Sequence, residues 1–327
     1  MPLKSKSSPK AGLTGRSLVL DTDITPAEAV SLLAVAVRIR KQPARYRTAL
    51  AGRFLALLFE KPSLRTRVTF EVAMKSLGGD SLFLDFRGET IGQRETVADV
   101  AGNLGRWVHA IAARTCHHST VEQLAASSSI PVINALSDRV HPCQALADML
   151  TLQDYFGRLK GLHLAYVGDG NNVAHSLLLA GAQFGVHVSV ATPPSYEPDL
   201  EIVSTAQSIG ARTGCVIKVS NDPQKAVSGA HAVYTDVWTS MGSEKESEIR
   251  RRKFAAYRVT RKLFAKARKD AIFLHCLPAH RGEEVEAEVL ESDRSLVLDQ
   301  AENRLHAQKA LLWLLLTGRS TATRSTR

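Results

Sequence analysis

The stretch Arg53-Phe-Leu-Ala-Leu-Leu-Phe-Glu-Lys-Pro-Ser-Leu-Arg-Thr-Arg67 determines the fold class. Its first seven residues form a short apolar run, which is typical of a buried parallel strand. A polar turn follows, and then a helical pattern over Val68 to Leu77 that stops at two glycines. The order strand, turn, helix therefore predicts one βα unit of a parallel sheet.

The same alternation extends over the rest of the chain. Thr25-Pro26 has the form of a helix cap with proline in the first turn, before a predicted helix over 29–38. We predict further strands at 81–85, 109–113, 130–134, 162–167, 187–191, 232–235 and 271–274, and helices at 96–104, 145–155, 174–184 and 307–316. The pattern predicts an α/β fold with two doubly wound parallel-sheet domains joined by long helices.

The length of 327 residues suits two domains of about 150 residues each. We predict a first domain over 17–155, a second over 156–300, and a C-terminal helix over 301–317 that packs back on the first domain. Residues 1–16 and 318–327 contain basic residues but no acidic ones, and we predict that both are disordered tails.

Charge and composition exclude several classes of protein. The net charge is +10, but the two tails supply seven of these charges and leave +3 for the body. This argues against a nucleic-acid-binding protein and suits a small anionic substrate. No apolar run approaches the ~18 residues of a membrane span. The N-terminus lacks the apolar segment of a secretory signal, and the four cysteines contain no CxxC pair, so we expect a cytoplasmic protein.

Residues Ser63-Leu-Arg-Thr-Arg67 lie between the first βα strand and its helix. A helix N-terminus offers free amides and the positive end of its dipole, while the hydroxyls and arginines add donors. The motif therefore indicates an anion site for phosphate. A capping serine with two solvated arginines is the alternative.

His141-Pro-Cys-Gln144 opens the long helix at 145–155. Positions 141 and 144 share a helix face, so both side chains can reach one carbonyl group. A simple capping histidine is the alternative.

Gly168-Asp-Gly-Asn-Asn172 follows the strand that opens the second domain and is similar to a dinucleotide fingerprint. The full GxGxxG pattern needs glycine at position 173, where Val173 stands. We therefore favour polar contacts to a small ligand over a nicotinamide cofactor, and predict no cofactor.

Two more polar motifs follow predicted strands. Asp236-Val-Trp-Thr-Ser-Met-Gly242 offers a carboxylate and a hydroxyl that suit an ammonium group, or a loop-capping aspartate. In His275-Cys-Leu-Pro278 the cysteine is a nucleophile, a ligand or an inert thiol, and its neighbouring histidine points the other way on an extended chain. Glu302-Asn-Arg304 is predicted to open the last helix and to add a cation.

Together and in this order, these motifs resemble the aspartate/ornithine carbamoyltransferase family, from about Arg53 to Leu316. The Asp236 and His275-Cys-Leu-Pro278 motifs are similar to its ornithine branch. The resemblance implies direct transfer of the carbamoyl group of carbamoyl phosphate to the δ-amine of L-ornithine, giving citrulline and phosphate through a tetrahedral intermediate, as in arginine biosynthesis. It also implies a homotrimer, with an active site in the cleft between the domains and at subunit interfaces.

The resemblance further implies the role of each site residue. The carbamoyl phosphate set would be Ser63, Leu64, Arg65, Thr66, Arg114, His141, Gln144, Cys276, Leu277 and Arg304, of which Arg114, His141 and Cys276 would be catalytic. The ornithine set would be Asn172, Asp236, Ser240 and Met241. No metal is implied, because the reaction needs only cations and donors for the phosphate and the oxyanion.

One departure and one alternative remain. Thr90 stands where relatives often carry a longer polar residue, frequently glutamine, which would weaken a contact supplied from a neighbouring subunit. Another amine, such as an acylated ornithine or putrescine, is the nearest alternative substrate, although an acylated amine has no cation for Asp236.

Overall fold

The computed structural model describes residues 12–239 and 246–317. The strands are β1 (Phe54–Phe59), β2 (Asp80–Asp85), β3 (Ala110–Arg114), β4 (Val132–Leu136), β5 (His163–Val167), β6 (His187–Ala191), β7 (Ile217–Ser220), β8 (Ala232–Thr235) and β9 (Ile272–His275). The helices are α1 (Pro26–Lys41), α2 (Pro43–Tyr46), α3 (Leu64–Ser76), α4 (Val97–Trp107), α5 (His118–Ser127), α6 (Pro142–Phe156), α7 (Asn172–Phe184), α8 (Leu200–Thr213), α9 (Pro223–Val227), α10 (Ser247–Phe254), α11 (Arg261–Phe264), α12 (Ala287–Leu290) and α13 (Val297–Thr317). None of these helices is long and apolar enough to cross a membrane.

The strands form two sheets. The pairs β1–β2, β1–β3, β5–β6, β5–β8, β6–β7 and β8–β9 are all parallel. The first sheet has the order β2-β1-β3-β4, and β1 pairs with both β2 and β3. The second has the order β7-β6-β5-β8-β9. Central strands such as β1 and β3 are buried and apolar, as strands covered on both faces must be. The predicted α/β class with two parallel sheets is confirmed.

The chain divides into two compact units. Among the described residues, the first takes in 12–19, 23–134 and 306–317, and the second takes in 20–22 and 135–305. By its contacts α6 belongs to the second unit, because it packs along α7, and the predicted boundary near residue 155 lies at the end of this helix. Within the first unit, Trp313 of α13 packs edge-on against Tyr46, and Thr14 Oγ1 donates to the Leu314 carbonyl. The predicted tail at 318–327 and residues 1–11 of the predicted tail at 1–16 lie outside the described residues. Residues 12–16 are ordered, contrary to the prediction: Leu13 is buried, and Arg16 Nη1 forms an ion pair with Glu28 Oε1 at 2.6 Å.

Several elements differ from the sequence-based expectation. Helices α5 and α8 and strand β7 were not expected. Helix α13 begins at Val297, four residues before the predicted C-terminal helix over 301–317 and ten before the helical pattern at 307–316. Arg304 therefore lies in the third turn of α13 and does not open it. Helix α3 begins at Leu64, because the Ser63 side chain accepts from the Thr66 amide and caps it. The predicted turn at 64–67 is thus already helical.

Three histidines lie at the amino ends of strands in the second sheet. His163 and His187 are the first residues of β5 and β6, and His231 directly precedes β8. His163 and His187 are register partners on β5 and β6, and the His231 Nδ1 accepts from the His163 amide at 3.0 Å. His187 Nδ1 accepts from the Val216 amide at 2.9 Å. An imidazole nitrogen that accepts must be unprotonated, so these contacts need neutral rings. Burial, and then the nearby His187, His231 and Lys218, lower the pKa of His163 to about 4.

This lowered pKa makes stability depend on pH. The unfolded chain binds a proton at this position near pH 6.5 and the folded chain only near 4, so stability falls as the pH drops through this window. When the pH is lowered from 7 to 5, the unfolding free energy of the wild type should fall by roughly 2 kcal/mol more than that of His163→Gln. Denaturant titrations of both proteins at the two pH values measure this difference, and parallel losses would contradict the prediction.

Candidate active site

The anion motif of the first unit is the capped N-terminus of α3. Ser63 is the N-cap in an extended conformation, and the amides of the first turn follow it. Thr66 is buried, while Leu64 exposes its side chain, so only its backbone amide can serve a ligand at this helix end. The arrangement provides hydroxyls, free amides and the positive end of a helix dipole, as phosphate binding requires.

The two arginines of this motif have different surroundings. Arg67 Nε donates to Glu71 Oε1 at 2.8 Å, and its guanidinium lies 3.7 Å from the centre of the Phe83 ring. These contacts hold Arg67 against Phe83 of β2. The buried Arg114 ends β3 beside Phe59, the last residue of β1.

A buried carboxylate that the sequence did not single out fixes the loops around this motif. Glu60 follows β1, and its amide donates to the Arg114 carbonyl. Its Oε1 accepts from the Ile91 amide at 2.8 Å and its Oε2 from the Cys116 amide at 2.6 Å. Glu60 thus joins three segments. Thr90, next to Ile91, is exposed.

The second unit holds the residues predicted to contact a carbonyl group. His141 is the N-cap of α6, and its amide donates to Ser176 Oγ at 2.8 Å. Gln144 is buried one turn into the helix, and its Oε1 accepts from Arg304 Nη1 at 2.6 Å. The structure therefore brings Gln144 and Arg304 together, although 160 positions separate them in the chain.

The predicted amine site contains Asn171, whose role the sequence motif did not reveal. Asn172 donates from Nδ2 to the Ser137 carbonyl at 2.6 Å. Its neighbour Asn171 caps α7 with Oδ1, which accepts from the amides of residues 173 and 174. The Nδ2 of Asn171 donates to Asp236 Oδ2 at 2.8 Å and orients this buried carboxylate. The Asn-Asn pair carried the signal, but spacing alone could not assign the two roles.

Cys276 and Asp236 are in direct contact. The Cys276 Sγ donates to Asp236 Oδ1 at 3.0 Å, which makes the sulfur a thiol in this arrangement. Ser240 and Met241, predicted to bind the same ligand, lie outside the described residues.

His275 holds the backbone that follows it. Its Nδ1 accepts from the Leu277 amide at 2.9 Å, and its Nε2 lies 3.2 Å from Glu284 Oε1. Burial raises the pKa of Glu284, but hydrogen bonds from His275 and the His280 amide outweigh it and lower the pKa overall. Leu277 has a φ of +57°, a left-handed conformation that is uncommon for leucine. The His275–Glu284 pair therefore supports the loop that presents the Leu277 carbonyl.

Two groups of side chains have the spacing of metal ligands. They are Asp236, His275 and Cys276, and His280, Glu283 and Glu284, each with its donor atoms within 4.8 Å. In the first group, Asp236 bonds to Cys276 and His275 to Glu284. In the second, Glu283 forms an ion pair with Arg251 at 2.8 Å. These hydrogen bonds and the ion pair account for both groups without a metal.

The glycine-rich loop after β5 has a packing explanation. A side chain at Gly170 would lie 2.3 Å from the backbone nitrogen of Pro198 and 2.4 Å from the carbonyl carbon of Glu197. Gly170 also donates its amide to the Tyr196 carbonyl at 2.9 Å. The glycine is needed for this close approach of two loops, which favours the polar-ligand interpretation over a dinucleotide site.

Comparison with known proteins agrees with this geometry. The carbamoyl-P binding domain of aspartate/ornithine carbamoyltransferase matches residues 16–154, and the Asp/Orn binding domain matches residues 160–315. The chain belongs to the aspartate/ornithine carbamoyltransferase family. The resemblance inferred from the motifs is thus confirmed.

The relatives are similar over almost the whole chain. An ornithine carbamoyltransferase of Parafrankia sp. is 51% identical over 93% of this chain and 97% of its own length. An anabolic ornithine carbamoyltransferase of Pyrococcus furiosus is 49% identical over 94% and 98%. The solved ornithine carbamoyltransferase structure from Pyrococcus furiosus matches with a TM-score of 0.91 at 48% identity, over 95% of this chain and all of that one. The Thermus thermophilus structure matches with 0.82 at 50% identity, over 92% and 98%.

The double role of Asn171 can be separated by substitution. Asn171→Ser keeps a capping oxygen but loses the amide that donates to Asp236, whereas Asn171→Ala loses both. We expect the serine variant to cost roughly 1–2 kcal/mol of unfolding free energy, because a hydrogen bond to a buried charged group is lost. The alanine variant should cost about 1 kcal/mol more. Chemical denaturation of the three proteins measures both steps, and equal stability of the two variants would refute the capping role.

Proposed function

We propose that this protein transfers the carbamoyl group of carbamoyl phosphate to the δ-amine of L-ornithine, forming citrulline and phosphate. The observation that carries the proposal is identity of 51% and 52%, over more than nine-tenths of the chain, to relatives named ornithine carbamoyltransferase. The contacts among Asp236, Asn171 and Cys276 support ornithine as the amine, because a buried carboxylate suits a cationic substrate. We assign the synthetic direction, as in arginine biosynthesis.

In this proposal the N-terminus of α3 holds the phosphate group. Ser63, Arg65 and Thr66 contribute their side chains and Leu64 its amide, while Arg114 bridges the phosphate and the carbonyl oxygen. The negative charge that builds up on the departing phosphate is met by fixed cations and by the helix dipole. The capped geometry at Ser63 supports this role, because it presents the first-turn amides together.

The carbamoyl group is assigned to His141, Gln144 and Arg304, with the Leu277 carbonyl accepting its amide hydrogens. His141 and Arg304 donate to the carbonyl oxygen, which becomes an oxyanion when the amine attacks. Gln144 Oε1 already accepts a hydrogen bond from the Arg304 guanidinium. The same oxygen can accept a second hydrogen bond from the amide group of the carbamoyl moiety. A carbon–nitrogen bond forms, and the carbon–oxygen bond to phosphate then breaks.

The amino acid is assigned to Asn172, Asp236, Ser240 and Met241, with Cys276 near the reacting amine. A free alkylamine has a pKa of ~10.4, so the amine must lose a proton before it attacks. Asp236 is the group we assign to pair with the α-ammonium group and so to orient the amino acid. The Cys276 thiol positions Asp236 through its hydrogen bond. This role needs the protonated thiol and not a thiolate.

The function is tested by citrulline formation with an Arg65→Ala variant. Loss of a guanidinium from the phosphate site should lower kcat/KM by roughly 10²- to 10³-fold. Arg67→Ala is the matched control, because its side chain bonds to Glu71 and stacks on Phe83; it should stay within about twofold of the wild type. Equal losses in both variants would contradict the assignment of Arg65.

The choice of amine is tested in the same assay. Ornithine, acetylornithine, putrescine and aspartate are compared with carbamoyl phosphate at fixed concentration. We expect turnover with ornithine to exceed the others by at least about a hundredfold, because Asp236 would be left unpaired by an acylated amine. If acetylornithine or putrescine is turned over faster, that amine and not ornithine is the substrate, while carbamoyl transfer remains the reaction.

We also propose that the protein is a homotrimer in the cytoplasm. The four free cysteines suit a reducing compartment. An apolar stripe on the first unit supports the oligomer. Leu64, Val68 and Val72 follow each other at four-residue spacing on α3 and are 76%, 45% and 42% exposed. A contiguous apolar surface of this kind is typical of a subunit interface.

The oligomer is tested with Val72→Asp. A charge in the stripe should convert trimers to smaller species, since a buried unpaired carboxylate is costly. Light scattering after size exclusion measures the mass, and Val30→Asp, at another exposed valine on α1, is the control. An unchanged trimer in Val72→Asp would remove the stripe from the interface.

A further inference from the structure

Asp148 is a buried carboxylate on α6, one turn beyond Gln144, that has no place in the steps above. Its side chain is fully buried within the second unit. One of its oxygens, Oδ1, accepts from two amides: Gln144 Nε2 at 2.8 Å and Gln300 Nε2 at 2.6 Å. A single carboxylate oxygen therefore determines which way both glutamine amides face.

Each glutamine passes this orientation on to a different part of the site. With Nε2 held by Asp148, the Oε1 of Gln144 faces Arg304 Nη1 at 2.6 Å. With its own Nε2 held by the same oxygen, the Oε1 of Gln300 accepts from the His275 amide at 2.9 Å. Gln300 Nε2 also donates to the Tyr234 hydroxyl at 3.0 Å. Asp148 is thus linked to Arg304 by one path and to the start of the His275-Cys-Leu-Pro278 segment by another.

We propose that Asp148 is a positioning residue for carbamoyl transfer, which holds Gln144 with Arg304 and the 275–278 loop in the arrangement that receives the carbamoyl group. The inference rests on the proposed function. It adds a residue that touches neither substrate. Because two paths start from one oxygen atom, loss of that acceptor disturbs both carbamoyl-holding elements at once.

The charge state of Asp148 fits a role as acceptor. Burial raises its pKa to about 7, although the Gln144 and Gln300 hydrogen bonds, the charge of Arg304 and the Tyr234 hydroxyl all favour the charged form. Near neutral pH the carboxyl is therefore partly protonated. A protonated carboxyl still has an oxygen that accepts, so both amides remain held in either state. The acceptor atom, and not the negative charge, is what this role requires.

Two substitutions separate the acceptor from the charge. Asp148→Asn keeps an oxygen at this position, whereas Asp148→Leu has similar size and no acceptor. Misplacement of catalytic groups by about 1 Å costs roughly a hundredfold in rate, so we expect Asp148→Leu to lower kcat for citrulline formation by about that factor. The inhibition constant of inorganic phosphate should stay within about threefold, because neither Gln144 nor Gln300 belongs to the Ser63 site.

Rescue and a matched control complete the experiment. Asp148→Asn should recover at least about a third of the wild-type kcat, because its oxygen can accept from both amides. Thr151→Val is the control: Thr151 is buried and hydrogen-bonded on the same helix, to the Ala147 carbonyl and from Asn303, but has no bond to Gln144 or Gln300 in the described chain. Its kcat should match the wild type. Circular dichroism and the unfolding temperature confirm that each variant is folded.

The outcomes distinguish the inference from the function beneath it. If the wild type forms no carbamoylated amine, the proposed function fails and the inference fails with it. If the wild type is active and Asp148→Leu keeps its kcat within about twofold, the inference alone is overturned. It is also overturned if folded Asp148→Asn is as slow as Asp148→Leu, since the charge and not the acceptor would then matter.

Discussion

Parallel pairing of strands is the constraint on which the site in each unit depends. In a parallel sheet all strands end at the same edge, and ligands bind outside these carboxyl ends. The candidate residues follow strand ends one after another: Ser63 after β1, Arg114 at the end of β3, His141 after β4, Asn171 after β5, Asp236 after β8 and Cys276 after β9. Within each sheet, residues far apart in the chain therefore need only short loops to reach the same edge. Apolar strands provide the rigid base for these loops.

Buried carboxylates then fix the loops in place. Glu60 accepts two backbone amides, Asp148 accepts two side-chain amides, and Glu284 accepts from His275 and the His280 amide. A buried carboxylate is costly unless donors compensate it, and in Asp148 and Glu284 one oxygen takes two donors each. Such a residue therefore permits few alternative arrangements of the segments around it. Its burial lowers the free energy of unfolding, but the groups that it contacts are placed with precision.

The sequence predicted the architecture better than the details of the site. Periodicity located eight of the nine strands in the described part of the chain, and β8 has the predicted bounds, because short apolar runs between polar loops are distinctive. It did not reveal that α13 starts at Val297, since no proline or glycine marks an early start. Periodicity also could not tell Arg65 from Arg67, because the Phe83 ring that holds Arg67 comes from a different element. Glu60 and Asp148 were missed because burial is not visible in residue type.

The contact at Gly170 has a consequence for how the amino-acid end of the site can change. A side chain there would strike the backbone of residues 197 and 198, so the two loops share one volume. An insertion or a bulkier residue in either loop requires a compensating change in the other. The residues that follow β5 and those that precede α8 should therefore vary together as a single module.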